Sequence, residues 1–139
     1  MKKLQRGFSI VSAIFLLVVL AFLGAAMTTF STTQNQSAAL DVMGSRAYQA
    51  ARAGIEWAAY YVTLTPQGTQ WGGCAAGTAV GVAGDLAPFS PVTVNCAAAS
   101  HVEGAGTIWI YDVSAVAQAG GVAGNPDYVE RVISVKLGK

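Results

Sequence analysis

Residues 8–27 read FSIVSAIFLLVVLAFLGAAM and contain no charged side chain. A helix needs about 20 predominantly apolar residues to cross the ~30 Å hydrocarbon core of a bilayer. The basic residues Lys2, Lys3 and Arg6 precede this run, and the next positive charge is Arg46. The run therefore predicts a transmembrane helix, and the positive-inside rule places the N-terminus in the cytoplasm and the rest of the chain across the membrane.

Two other interpretations of the same run stay open. An ordinary secretory signal peptide has a shorter apolar region and a small-residue cleavage site, and Gly24-Ala25-Ala26 would allow cleavage near Met27. A plain single-pass membrane anchor is the second alternative.

The composition limits the classes of function. The chain has 139 residues, enough for one domain, with 53% hydrophobic residues, 11% charged residues and a net charge of +1. Such a weak charge, without a basic cluster, argues against nucleic-acid binding. The acidic residues are scattered, and His101 beside Glu103 is better explained as part of a surface loop than as a ligand. We predict no enzymatic activity, no cofactor and no metal site.

A second helical pattern follows the apolar run. From Ser37 onward, apolar and small residues recur at steps of three and four and define one face: Ala39, Met43, Ala47, Ala50, Ala51, Gly54, Ile55, Ala58 and Val62. Pro66 ends the pattern because proline cannot continue a helix. We predict one helix over residues 8–63, with the polar stretch Thr28–Gln36 as a place where it bends or melts. Beyond Ala50 the small-residue face is expected to carry the core of the following domain.

Residues 64–139 form the predicted head. Turn signals separate three segments with period-two alternation, which predicts strands at Pro91–Cys96, Thr107–Val116 and Tyr128–Leu137. The last two are expected to form a hairpin with a long loop through Ala117–Pro126. A sheet this small needs a partner layer. We therefore predict an α+β fold in which the long helix packs on a small antiparallel sheet.

Two further features of the head are informative. Cys74 and Cys96 lie in the part predicted to cross the membrane, where an oxidising compartment allows a structural disulfide; two free thiols are the alternative. Trp71, Trp109 and Tyr111 are candidates for an exposed surface that binds carbohydrate or protein, although aromatic residues in strands are often divided between core and edge.

The N-terminus KKLQRGFSIV, residues 2–11, resembles the class III signal of type IV prepilins and of type II secretion pseudopilins. The resemblance implies that residues 1–7 are a leader, that prepilin peptidase cuts between Gly7 and Phe8, and that Phe8 becomes N-methylated. It also implies a pilin-like fold whose N-terminal helix binds other pilin subunits, membrane lipid and the inner-membrane assembly platform. The expected location is the inner membrane of a Gram-negative bacterium, with a periplasmic head, and the extracellular pilus after assembly.

One position departs from this family. Major pilins carry Glu at the fifth position of the mature chain, where this sequence has Ser12. In the family that carboxylate pairs with the N-terminal amine of the subunit ahead, and without such a use its insertion costs about 2.5–3.5 kcal/mol. A subunit without the carboxylate is suited to a position with no subunit ahead of it, at the tip or at initiation. Drift in a low-abundance subunit is the alternative.

The segment YQAARAGIEWA at residues 48–58 resembles the PilX-type minor pilins and minor pilin-like proteins of the mannose-sensitive haemagglutinin (MSHA) pilus. This resemblance implies a structural role in pilus assembly and surface attachment. A type II secretion pseudopilin and an adhesin module displayed at the filament tip are the alternative functions.

Overall fold

The computed structural model describes residues 10–139. A helix, α1 (Ile10–Leu64), is followed by strand β1 (Thr78–Val80), a 3₁₀ helix (Gly84–Phe89) and strands β2 (Val92–Glu103), β3 (Gly106–Ala119) and β4 (Val129–Gly138). The architecture is thus a long helix followed by a small antiparallel sheet, in agreement with the predicted α+β layout. The chain divides into two compact units, one ending at Ala39 and the other, the head, running from Leu40 to Lys139.

The stretch Thr28–Gln36 was predicted to bend or melt, and it does not melt, since α1 stays helical across it. Its threonine hydroxyls donate to carbonyl oxygens of the preceding turn. The Thr29 hydroxyl is 2.8 Å from the Ala25 oxygen, and those of Thr32 and Thr33 are each 2.9 Å from the carbonyl four residues earlier. Each of these hydroxyls is thereby satisfied within the helix.

The helix ends at Leu64, one residue beyond the predicted end, and Pro66 follows. No basic residue lies in its last turn. A basic residue from the end of the chain lies there instead: the Lys139 ammonium donates a hydrogen bond to the Thr63 carbonyl. A cation at this end of a helix is favourable because the last carbonyls carry the negative end of the helix dipole.

The four strands lie in sequence order, β1-β2-β3-β4, and all neighbours are antiparallel. The predicted hairpin between the last two strands is confirmed, with Ala119 opposite Val129. The second strand is much longer than the predicted Pro91–Cys96. It continues to Glu103, which lies opposite Gly106, and Gly104 in the tight turn has φ +58°. Strand β1 was not predicted.

The core of the head lies between the C-terminal part of α1 and one face of the sheet. The helix contributes small residues: Gly44, Ala47, Ala50, Ala51, Gly54, Ala58 and Val62 are buried. Gly54 marks the closest approach, since a Cβ added there would lie 2.9 Å from Val92 Cγ1 and 3.1 Å from Ala115 Cβ. The prediction that this stripe carries the core of the head is confirmed, although it begins earlier than expected, at Gly44. Ala39, predicted on the same face, is exposed.

Candidate functional site: an apolar helix and a compact head

The N-terminal part of α1 presents apolar side chains on every side. Its large residues are exposed, from Ile10 at 78% to Phe30 at 71%. Among residues 10–139, α1 is the one helix that is long and apolar enough to cross a membrane. This supports the predicted membrane segment at the level of length and composition.

Of the predicted N-terminal site residues, the structure describes Ser12, the position where the family has Glu. Ser12 lies in α1 and is exposed. Gly7 and Phe8, the predicted cleavage pair, lie outside the described residues together with the rest of the predicted leader at 1–7, so cleavage and methylation stay predictions.

Cys74 and Cys96 form a disulfide, with Cα atoms 5.0 Å apart and a sequence separation of 22 residues. Cys96 lies in β2, and the loop residue Cys74 is anchored by its own backbone N–H, which donates to the Trp71 carbonyl. Next to the bridge, the Cys96 N–H donates to the Ala75 carbonyl at 3.0 Å. The disulfide therefore holds the connection between helix and sheet against the edge of β2.

Aromatic residues hold the other end of that connection. The Tyr111 hydroxyl accepts a hydrogen bond from the Trp71 backbone N–H at 2.8 Å, and the Trp109 indole N–H donates to the Gly68 carbonyl at 3.2 Å. Trp71 also packs against the rings of Trp57 and Tyr61 at the end of the helix.

This arrangement corrects the interpretation of three aromatic residues as a candidate binding surface. Trp71 and Tyr111 are buried, with 7% and 1% of their surface exposed, and Trp109 is half-buried. They secure the loop after the helix. The exposed rings in this region belong instead to Tyr60 and Tyr61, which the sequence did not single out because both lie in the helical pattern.

Charged groups of the head form isolated surface pairs. Arg52 and Glu56 are 2.9 Å apart, as their spacing of four predicted, and Lys136 lies 3.2 Å from Asp112 across two strands. The Tyr128 hydroxyl donates to the Glu130 carboxylate, and this hydrogen bond raises the pKa of Tyr128 above its ordinary value. His101 and Glu103 are exposed near the end of β2. In the part of the chain that the structure describes, no three His, Cys, Asp or Glu residues come together in a metal-binding group.

The described residues thus offer an apolar helix for lipid or for other helices, joined to a small disulfide-bonded head. Comparisons of the chain with protein-family models, with curated proteins and with solved structures find no match.

Proposed function

We propose that the chain is a minor pilin-like structural component of a type IV pilus of the MSHA type, similar to the MshP component of that system. The proposal is based on the difference between the two parts of α1. Its N-terminal part has exposed apolar side chains, and its C-terminal part supplies the small residues of the head's core. A cleavable signal peptide is normally discarded from the protein it exports. Here the same helix contributes to the fold of the head, which favours its retention.

The N-terminus of the mature protein provides the direct test. A pilin-like precursor would be cut after Gly7 by prepilin peptidase, leaving an N-methylated Phe8. Mass spectrometry of the full chain extracted from membranes should find that terminus, and should find the intact precursor in a strain without the peptidase. An intact Met1 in the presence of the peptidase, or a soluble protein trimmed near Met27, would contradict the proposal.

We further propose a role at the tip or in initiation of the filament, based on Ser12. A subunit whose fifth mature residue has no carboxylate cannot form the charge pair expected with a subunit ahead of it. Ser12→Glu should therefore let the protein spread along the filament, and Ser12→Ala serves as the matched control without charge. Immunogold labelling that finds both variants in the same position as the parent would refute the electrostatic argument.

The alternative of a type II secretion pseudopilin predicts a different deletion phenotype. Loss of a pseudopilin blocks protein export and leaves pili intact, whereas loss of the proposed pilin reduces piliation and attachment. The alternative of an adhesin at the filament tip loses Trp71 and Tyr111, which are buried, and keeps the half-buried Trp109 and the exposed rings of Tyr60 and Tyr61. Glycan or surface binding by the protein that is lost in Trp109→Ala with the fold intact would support it.

A further inference from the structure

The sheet of the head has two free edges. Strand β4 is the last strand on one side, and no strand covers its outer edge in the described chain. On the opposite side, β1 covers β2 only from Val92 to Val94, and Ala75 extends this cover to Cys96. Among residues 10–139, none pairs with the outer side of β2 at 97–103, so this part is also an open edge.

The hydrogen bonds identify which backbone groups are free on β4. Trp109 and Lys139 exchange both of their backbone hydrogen bonds, at 2.8 and 2.9 Å. In an antiparallel ladder such pairs alternate with pairs that point their N–H and C=O groups away from each other. With Tyr111 opposite Leu137, the odd-numbered residues of β4 bond to β3. The N–H and C=O groups of 130, 132, 134 and 136 consequently point outward.

The same reasoning applies to β2. The Cys96 N–H points away from β3, since it donates to Ala75 on the other side. The alternation continues along the strand. Ala98, Ser100 and Val102 therefore also direct their backbone groups to the open edge.

The directions of the strands decide how two copies of the chain can combine these edges. Strands β2 and β4 run in the same direction, because each is antiparallel to β3. Antiparallel pairing of two β4 edges reverses one head and its helix, and parallel pairing of two β4 edges puts the two helices on opposite faces of the joined sheet. Pairing of β4 with β2 keeps both the direction of the helices and their common face, and two copies inserted in one membrane by α1 have helices that run the same way. We propose that β4 of one copy pairs in parallel with the free edge of β2 of a second copy. The common orientation of the helices is the one element taken from the proposed function.

Charge and apolar surface select the register. In a parallel pair, a residue whose backbone groups point to the partner strand lies opposite a residue whose backbone groups point away from it. Even positions of β4 therefore face odd positions of β2. Glu130 opposite Ala97 puts Lys136 opposite Glu103 and Val135 opposite Val102, which is 79% exposed. A shift of two residues in either direction separates the two charges.

The covered part of β2 agrees with this register. Ala75 reaches Cys96, and the incoming strand would begin at the next residue along β2. The contact joins two different surfaces, so a third copy can add in the same way. Parallel pairing over such a short length is weak in solution, but confinement of both copies to one bilayer raises their effective concentration.

Disulfide trapping in the full-length chain tests the proposal. Ala99→Cys and Val132→Cys would lie opposite each other on the outer face of the joined sheet, and both positions are exposed. The two single variants are co-expressed in membranes and analysed on non-reducing gels. Gln118→Cys, exposed on the central strand β3, replaces Val132→Cys as the matched control.

A covalent dimer is expected only in the mixture of Ala99→Cys with Val132→Cys. Ser134→Pro should lower its yield at least about five-fold, because proline removes an outward N–H and is tolerated at such an edge position. Far-UV circular dichroism of the purified variant checks that the fold is kept. Glu103→Lys in the copy with Ala99→Cys should also lower the yield, because it puts a like charge opposite Lys136 and leaves the pair of Lys136 with Asp112 in place. Lys136→Glu in the other copy should then restore the yield.

Two outcomes would refute the parallel pairing of β4 with β2. A mixture no more cross-linked than the Gln118→Cys control overturns the pairing, and dimers of Val132→Cys alone would show an antiparallel contact instead. Mass spectrometry of the N-terminus in the same samples separates this inference from the proposed function. A methylated Phe8 without cross-linking refutes the edge pairing and leaves the pilin assignment intact.

Discussion

Replacing Gly54 with alanine tests the close contact between helix and sheet. Alanine in a helix interior is favoured over glycine by about 1 kcal/mol. Against this gain, the new Cβ would lie 2.9 Å from Val92 Cγ1 and 3.2 Å from Val94 Cγ2, well below the ~3.5–4.0 Å of an ordinary carbon contact. Val92 is fully buried and its β-branched side chain has little freedom to rotate. Overpacking of this kind costs about 1–3 kcal/mol, so we expect net destabilisation of about 1 kcal/mol.

Gly44→Ala is the matched control on the same helix face. The three atoms nearest to a Cβ at Gly44 all belong to the guanidinium of Arg131, the closest at 3.0 Å, and that flexible side chain can move aside. This variant should gain up to about 1 kcal/mol from helix propensity. The two variants should thus differ by roughly 2 kcal/mol, or about 1 M in the urea midpoint for an m-value of ~2 kcal/mol/M.

Urea unfolding of residues 40–139, followed by circular dichroism, measures the difference. This segment contains every residue of the buried core. Equal stabilisation by both substitutions would show that the helix does not approach the sheet as closely at Gly54 as described, and would refute the packing argument.

Three further substitutions test how the head is held together. Tyr111→Phe should destabilise it by about 1–3 kcal/mol because the buried Trp71 N–H loses its acceptor, while Tyr60→Phe at an exposed ring should leave the urea midpoint unchanged. Replacing both cysteines with serine should cost about 3 kcal/mol in the chain-entropy model, and reductant should then have no further effect on the midpoint. Lys139→Met keeps the aliphatic part of the side chain but removes the ammonium from the Thr63 carbonyl. The melting temperature should fall by an amount that corresponds to about 0.3–1 kcal/mol of stability. An unchanged melting temperature would mean that this hydrogen bond does not stabilise the end of the helix.

Elements with a long repeating pattern were predictable from sequence. Helix α1 and strands β3 and β4 have apolar periodicity over many residues, and their bounds agree closely with the structure. Strand β1 has three residues among glycines and alanines, too few for any period to show. It exists because residues far along the chain, from Val92 to Val94, provide a strand to pair with.

The extension of β2 was missed for a related reason. Residues 97–100 are alanines and a serine, which have weak β propensity, and pairing with β3 orders them. Contacts between distant residues could not be predicted from the sequence either. Lys139 caps a helix that ends 75 residues earlier, and the Trp71 backbone N–H donates to the hydroxyl of Tyr111, 40 residues further along the chain. The cysteine pairing was predictable because the chain has only two cysteines.

The threonines of α1 have a consequence for how the proposed pilin would move along the membrane normal. Their hydroxyls bond to carbonyls of the same helix, from Thr28 through Thr33, and therefore need no water or headgroup partner. Such residues can cross the boundary between water and hydrocarbon without breaking a hydrogen bond, and each residue of travel corresponds to ~1.5 Å. For the pilin proposed above, removal of apolar side chains from lipid would then be the main resistance to drawing this stretch out of the bilayer.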